Sequence, residues 1–330
     1  MSGAAGLRRF IEGRRLLLVA GHKEPDGDCV ASQLAVAALA ARLGTPTLLL
    51  SAGPFDRPEI EDFAGRFVAT AGDADLGPGA AAVIVDCSTP DRMGAIAPLL
   101  ARLPCFVIDH HSSAGASAGG EGFGDERFVD PSAPSTTALV LALYEDLGIE
   151  VDRDTARLLL FGLCTDTGFF RHVGAEGAET FRAVARLTER GVSTAEVFMM
   201  VYGRRSLAGR HLLARMLERT ESLADDALLV TWQTIADRGA AGAVPRGEDD
   251  LYRLLQTVQG NRVVAFLKEE TPGRWSVGLR SNPGIDVGVV AAGFGGGGHR
   301  QAAGCDIAGT LASVKSAVVA ALRQFVNESK

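Results

Sequence analysis

A surplus of cations, a good supply of aromatic rings, paired cysteines and long apolar runs are all missing from this chain. Acidic residues outnumber Lys and Arg 40 to 33, for a formal net charge of −7. Such a chain is poorly suited to gripping long duplex nucleic acid, where each neutralised phosphate needs a cation. A small phosphorylated ligand needs only a few local ones. Aromatic residues are 6% of the total, which is thin provision for an extended base-stacking groove. The five cysteines (Cys29, Cys87, Cys105, Cys164 and Cys305) are odd in number, scattered, and form no C-x-x-C pair. That argues against a disulfide framework or a zinc knuckle and for a reducing cytosol. Cys29 and Cys87 read as small buried hydrophobes rather than thiolate ligands. Met1 to Arg15 lacks the charged-then-apolar order of a signal peptide, and no apolar run approaches the ~20 residues needed to cross a bilayer. A soluble, cytoplasmic protein with no membrane partner is expected. No repeat of fixed period is visible.

What is present is a two-domain α/β pattern. The 330 residues exceed the usual single-domain size, and a 47% hydrophobic content supports a sizeable core. Leu16–Ala20, Thr47–Leu50, Ala82–Val85 and Phe106–Ile108 read as strands. Helical patterns cover Cys29–Leu43, closed by Gly44, then Pro134–Leu147, Asp154–Leu163 and Ala175–Arg190. This alternation predicts a mainly parallel sheet flanked by helices over residues 1–190. Ser193–Val201 and Leu207–Arg219 suggest a helical linker over 191–219. Residues 220–330 then form a smaller α/β domain with a mixed sheet, with strands near Leu228–Trp232, Arg262–Lys268 and Trp275–Arg280 and a final helix at Leu311–Val326. The Ser/Ala/Gly-rich stretch Ser112–Gly124 fits a loop, either a surface insertion or a lid.

Polar residues gather where the strands end. Asp109-His110-His111 follows Phe106–Ile108, His22 to Asp28 follows Leu16–Ala20, and Asp86 closes Ala82–Val85. In an open α/β sheet, ligands collect beyond the carboxyl ends of strands. Of six histidines, three lie in these strand-end motifs, His172 stands just past Asp166, and His299 follows a glycine run. Only His211 has no assigned place. Imidazoles and carboxylates converging on one sheet edge suit a two-metal hydrolytic site. Coordination can lower the pKa of water from 15.7 to about 7, and two ions ~3.5–4 Å apart can act on one phosphoryl group. Imidazole and carboxylate donors without thiolate favour Mn²⁺, Fe²⁺ or Co²⁺ over a structural zinc site. Asp26 and Asp28 can feed one ion each. Asp166, in Thr165-Asp166-Thr167-Gly168, is ordinary turn chemistry when taken alone. It gains weight from Arg171, which is suited to phosphate.

These segments together resemble the DHH phosphoesterases with their associated C-terminal domain. The matching stretches are His22-x-x-x-Asp26-Gly27-Asp28, Asp86 with Arg92-Met93-Gly94 following, Asp109-His110-His111, Thr165 to Gly168, and Gly295 to His299 through Ala302-Ala303-Gly304. They run in family order across nearly the whole chain. The subgroup they most resemble comprises nano-RNases and bisphosphate nucleotidases, some of which also open cyclic di-AMP. The resemblance implies two divalent ions, best matched by Mn²⁺. His22, Asp26 and Asp86 would hold one ion, and Asp28, Asp86, His110 and Asp166 the other, with Asp86 as the bridge. It further implies that His111 faces the phosphate while Asp109 orients its neighbours. Short RNA or small nucleotides would be the substrates, and the protein would be a homodimer. Two departures stand out: Ala31-Ser32 replaces the usual Gly-Ser, and the residues after the His pair are unusually rich in Ser and Gly.

Gly293 to Gly298 fits G-x-G-x-x-G, but the βα turn that would make it a dinucleotide fingerprint is missing. A flexible turn is one reading. The other is an anion nest formed by Gly296, Gly297 and Gly298, with His299 and Arg300 beside it. Arg280 and Ser281 end a nearby strand and are expected to serve the same phosphate, as Arg92 and Arg171 are in the first domain. By resemblance this second domain grips the nucleotide across an interdomain cleft. A RecJ-type single-strand exonuclease shares the catalytic motifs but wants a longer basic groove. A family II pyrophosphatase should carry a Ser-Arg-Lys-Lys cluster, which is not seen. A cyclic-dinucleotide sensor without turnover would have no need of the full ligand set.

Overall fold

The computed structural model describes residues 3–72, 76–111, 123–241 and 248–327. They divide into two compact units, Met1–Arg204 and Arg205–Lys330. The lid reading for Ser112–Gly124 lies almost wholly outside the described residues.

The first unit runs α1 (Gly3–Ile11), β1 (Leu16–Ala20), α2 (Gly27–Arg42), β2 (Thr47–Leu50), β3 (Ala80–Val85), α3 (Ala97–Leu100), β4 (Cys105–Asp109), β5 (Glu126–Val129), α4 (Thr136–Asp146), α5 (Arg153–Asp166), α6 (Ala178–Thr188) and α7 (Thr194–Tyr202). Five parallel strands stand in the order β2-β1-β3-β4-β5. Successive strand residues point to opposite faces, and both faces are covered. Leu17, Val19, Val83 and Ile108 join one core with α1, α2, α4 and α5, while Leu18, Ala20, Ile84 and Val107 join another with Met93, Ile96 and Leu100. Burial on both sides explains why these strands read as unbroken apolar runs. The chain leaves β1 for β2 on one side and returns to β3 on the other. The space beyond the carboxyl ends of β1 and β3 is therefore the topological switch point.

The second unit runs α8 (Leu207–Glu218), β6 (Glu221–Leu223), β7 (Leu228–Gln233), α9 (Ile235–Ala241), α10 (Glu248–Gln256), β8 (Val263–Thr271), β9 (Arg274–Ser281), α11 (Val287–Gly293), β10 (Gly297–His299), β11 (Ala302–Ala308) and α12 (Leu311–Asn327). Its six strands, ordered β10-β11-β9-β8-β7-β6, are antiparallel except for the parallel pair β7–β8. One face packs on α11 and α12 through Val277, Leu279, Val290 and Val318. The other meets α8 and α10 through Val264, Phe266, Leu212 and Leu251.

The division between units falls within the segment expected as a linker, 191–219. Val197 and Val201 of α7 belong to the first unit's core, while Leu212 and Met216 of α8 belong to the second's. Among the described residues no helix is long and apolar enough to cross a membrane.

Candidate metal centre and active site

Asp86 is the hinge of the site. Leaving β3, it adopts a left-handed backbone (φ 57°), a conformation that costs a non-glycine residue roughly 1–3 kcal/mol and clusters at functional sites. Its backbone N–H donates to Ile108 O at 2.9 Å. The carboxylate, almost fully buried, faces a different histidine with each oxygen: Oδ2 is 3.3 Å from His22 Nε2, and Oδ1 is 3.6 Å from His110 Nε2.

Both histidines are set to offer a lone pair at that nitrogen. His22 Nδ1 donates to Lys23 O (2.7 Å), and His110 Nδ1 to Ala133 O (3.3 Å). A carbonyl only accepts, so Nδ1 is the donor in each ring, and in the neutral imidazole this leaves the Nε2 lone pair free for a cation. The two Nε2 atoms are buried and make no hydrogen bond among the described residues. A buried polar atom without a partner is costly, and a cation at each position would satisfy it.

The aspartates arrive by helix ends. Asp26 caps α2, accepting from Cys29 N at 3.0 Å, and its Oδ2 lies 3.9 Å from His22 Nε2. Asp28 sits in the first turn of the same helix, fully buried. It accepts from Thr136 N (2.7 Å), Thr137 N (2.9 Å) and Thr137 Oγ1 (2.7 Å) at the start of α4. Thr136 Oγ1 donates in turn to Asp86 Oδ1 at 2.9 Å. One dipeptide thus buttresses an aspartate of each half-site. Asp166 is the last residue of α5, not part of a turn, and lies 3.4 Å from His110 Nε2. A carboxylate at a helix C-terminus faces the wrong end of the dipole, so local stability does not explain it. Close helix contact brings these groups together. A Cβ at Gly27 would stand 2.5 Å from Thr165, and one at Gly162 would stand 2.4 Å from Thr137.

Donor atoms group as His22–Cys29–Asp86, Asp86–His110–His111 and Asp28–His110–Asp166, each within 4.8 Å. The cluster is over-acidic. Burial, reinforced by the charges of Asp86 and Asp166, raises the Asp28 carboxyl well above its ordinary value. Burial and the Asp86 and Asp26 charges push Asp166 up to about 6. Bound cations would relieve both effects, so the donor set fits divalent metal ions.

Asp109 and His111 form a hydrogen-bonded pair beside this cluster, with His111 Nδ1 3.5 Å from Asp86 Oδ1. Asp109, at the end of β4 and completely buried, accepts from His111 N (3.0 Å), from His111 Nδ1 (2.8 Å) and from the Ser88 hydroxyl. Burial opposes its charge, but these contacts outweigh it and hold the carboxyl below its ordinary value. The same hydrogen bond raises the His111 imidazole, which remains partly exposed. Arg92 is close enough for its charge to act on His111. Arg57, which carried no signal in the sequence, acts likewise on Asp26. Arg171 donates to His172 Nε2 at 3.1 Å. A cavity of about 700 Å³ opens beside His110, Asp166 and His172.

In the second unit, the glycine run is neither an open nest nor a free turn. Gly295 and Gly296 donate their N–H groups to Ala292 and Ala291 at the end of α11, and Gly297–His299 pair with β11. The register sets His299 opposite Ala302 and Ala302 opposite Arg280, so Arg280 and His299 share one face of the sheet, one strand apart. Ser281 is buried and donates to Ile285 O at 2.8 Å, holding the turn before α11. Arg300 is exposed, 3.5 Å from Asp286.

The family model described as the DHH family, N-terminal domain, matches residues 17–163, and the DHHA1 domain model matches residues 226–328. The chain is 31% identical over 298 residues to the bifunctional oligoribonuclease and PAP phosphatase NrnA of Thermus thermophilus, covering 89% of this chain and 84% of that protein. The chain belongs to the DHH family. As a phosphoesterase of that family it is a hydrolase of phosphoric ester bonds. It is also 24% identical over 247 residues to the cyclic-di-AMP phosphodiesterase PdeA of Listeria monocytogenes, covering 74% of this chain and 36% of that protein. Its fold is that of an exopolyphosphatase-related protein from Bacteroides fragilis, with a TM-score of 0.81 at 18% identity over 98% of this chain and 96% of that one.

Proposed function

We propose that this protein is a Mn²⁺-dependent hydrolase of short oligoribonucleotides and small nucleotides, including 3′-phosphoadenosine 5′-phosphate, pApA or cyclic di-AMP, and that it releases 5′-mononucleotides. The observation that carries the reading is the Asp86 carboxylate set between two buried histidine nitrogens that have no hydrogen-bond partner among the described residues. His22, Asp26 and Asp86 would hold one ion, and Asp28, Asp86, His110 and Asp166 the second. When bound, the ions supply a water of lowered pKa and positive charge against the phosphoryl oxygens.

The chain's own residues do the rest. Asp86 keeps the two half-sites at a fixed separation, and Thr136 and Thr137 fix Asp86 and Asp28. Asp109 holds His111 by Nδ1, so the protonated ring presents Nε2–H to a phosphoryl oxygen where charge grows in the transition state. Arg92 and Arg171 add positive charge at the same edge. In the second unit, Arg280 and His299 bind the nucleotide through its phosphate, with Gly296, Gly297, Gly298, Ser281 and Arg300 shaping the hairpin that carries them. Residues 1–190 are read as the catalytic domain and 220–330 as the substrate domain.

The reading takes the enzyme to work in the cytoplasm, which five buried free thiols suit, and as a homodimer, which sedimentation would test. The functional test is product analysis with Mn²⁺ on a short RNA, cyclic di-AMP, pApA and 3′-phosphoadenosine 5′-phosphate. Catalytic release of mononucleotide from at least one is expected. Stoichiometric binding without turnover would overturn the reading in favour of a sensor.

A further inference from the structure

Just after Asp166 the backbone takes an unfavourable course. Gly168, Phe169 and Phe170 all hold positive φ, at 57°, 56° and 70°. Glycine does so freely, but for a bulky residue such a backbone is an outlier that persists only where its surroundings dictate it. Here aromatic rings do so. Phe169 stands edge-on to Phe198 of α7, with ring centroids 5.4 Å apart and planes at 83°, and lies 5.9 Å from Tyr202. Phe170 packs on Phe181 of α6 at 5.5 Å. The left-handed turn doubles the chain back, so that the His172 N–H donates to Thr167 O at 3.0 Å. The His172 ring then lies against the bare Cα of Gly168, where a Cβ would stand 2.7 Å from it.

The turn delivers His172 to the wall of the cavity of about 700 Å³ that His110 and Asp166 also line. Arg171 contributes differently. A guanidinium only donates, so its 3.1 Å hydrogen bond to His172 Nε2 makes that nitrogen the acceptor and leaves the proton of the neutral ring on Nδ1. Burial, with the Arg171 charge, holds the imidazole below its ordinary pKa, so the ring is neutral at pH 7. Its Nδ1 makes no hydrogen bond among the described residues. The result is an uncharged donor of fixed tautomer beside the ligands expected for the second ion. The opposite polar walls are acidic. Asp130, Glu145 and Glu179 line the cavity, and Arg186 is ion-paired with both glutamates, at 2.7 and 2.9 Å. Such walls repel a second phosphate and accept hydrogen bonds from a hydroxyl.

We propose that His172 is a substrate-binding residue whose Nδ1–H donates to a ribose hydroxyl oxygen of the nucleotide under attack, and that Arg171 is its positioning residue. The inference rests on the reading of this site as a hydrolase of short RNA. Within that reading Arg171 acts through the imidazole, fixing which nitrogen carries the proton, and the aromatic contacts of Phe169 and Phe170 keep His172 at the cavity.

The test is steady-state kinetics of the full chain with Mn²⁺ on pApA and on bis-p-nitrophenyl phosphate, which has no ribose. The His172 side chain is exposed, so His172→Phe is expected to keep the wild-type Tm. It should raise KM for pApA roughly three- to tenfold, the range of a single net hydrogen bond, with kcat moving less and a smaller change on the model diester. His172→Gln, whose amide keeps one acceptor and one donor, should recover most of the loss. In an Arg171→Ala background, His172→Phe should add little further cost, as expected for two residues acting as a unit. An unchanged KM in His172→Phe, or equal losses on both substrates, would overturn the ribose contact. A full additional loss in the Arg171→Ala background would overturn the positioning role of Arg171. Wild type that fails to turn over pApA would remove the short-RNA reading itself, and this contact with it.

Discussion

Oδ1 of Asp109 lies 2.8 Å from Nδ1 of His111 and also accepts that residue's backbone N–H at 3.0 Å. The carboxylate thus fixes both the ring's orientation and its proton-bearing nitrogen, as buried carboxylates do for catalytic histidines. His111→Ala should therefore retain both metal ions and lose ~10²–10³ in kcat, the usual cost of removing one donor aimed at transition-state charge. Asp109→Asn should behave similarly, because an amide can present an N–H to Nδ1 and select the wrong tautomer. Metal analysis alongside steady-state kinetics checks this. If His111→Ala loses a metal while His110→Ala keeps both, the two roles are exchanged.

Arg280 is proposed to grip the nucleotide rather than to hold a metal ion, so its removal should affect binding more than chemistry. Arg280→Ala should raise KM for nucleotide substrates about ten- to a hundredfold, as expected for a charge-assisted contact of roughly 1.5–3 kcal/mol. Metal content should not change. Bis-p-nitrophenyl phosphate, which has no nucleoside, should feel the substitution less. Equal losses on both substrates would move Arg280 into the chemical step.

Chelation gives a third outcome. EDTA should silence the enzyme and Mn²⁺ should restore it better than Mg²⁺, because imidazole ligands favour the softer ion. Full activity in Mg²⁺ with no tightly held transition metal would count against the ligand set.

Much of this was legible in the sequence because the sheet of the first unit is buried on both faces. Leu16–Ala20 and Thr47–Leu50 were bounded as the structure has them, since an apolar run with polar ends needs no tertiary information. His22, Asp86 and Asp109 stood out for the same reason: each interrupts such a run where the chain leaves the core. The second unit was harder. β11 (Ala302–Ala308) is built of small residues with weak strand preference, and its pairing with β9 and β10 comes from partners distant in sequence. β5 is a short, half-exposed edge strand. Thr136 and Thr137 look like any helix start, and only the fold brings them to Asp28 and Asp86. The glycine run reads in sequence as a nest or turn because a strand of bare glycines has no side-chain pattern to show.

Electrostatics in the second unit predict an acid-sensitive contact. Asp237 receives both Arg219 guanidinium nitrogens, at 2.6 and 3.0 Å, and the Thr234 N–H and hydroxyl. These hold its carboxyl down at about 2, below the ~3.9 of an unfolded chain. A depressed carboxyl stabilises the fold above its unfolded pKa and loses that contribution as pH falls towards the folded one. Asp237→Ala should cost about 2 kcal/mol at pH 7, with the gap to wild type closing between about pH 4 and pH 2. Denaturant titrations across that range measure it. A gap that stays constant with pH would contradict the pairing.

The bridging role of Asp86 is the central claim, and metal stoichiometry in Asp86→Ala tests it most directly. The wild-type chain loaded with Mn²⁺ and passed through a desalting column should retain two ions. Removing the one carboxylate that faces both His22 Nε2 and His110 Nε2 should take away more than one ion per chain and abolish turnover, with the fold intact by circular dichroism. An Asp86→Ala variant that still holds two full ions would contradict the account.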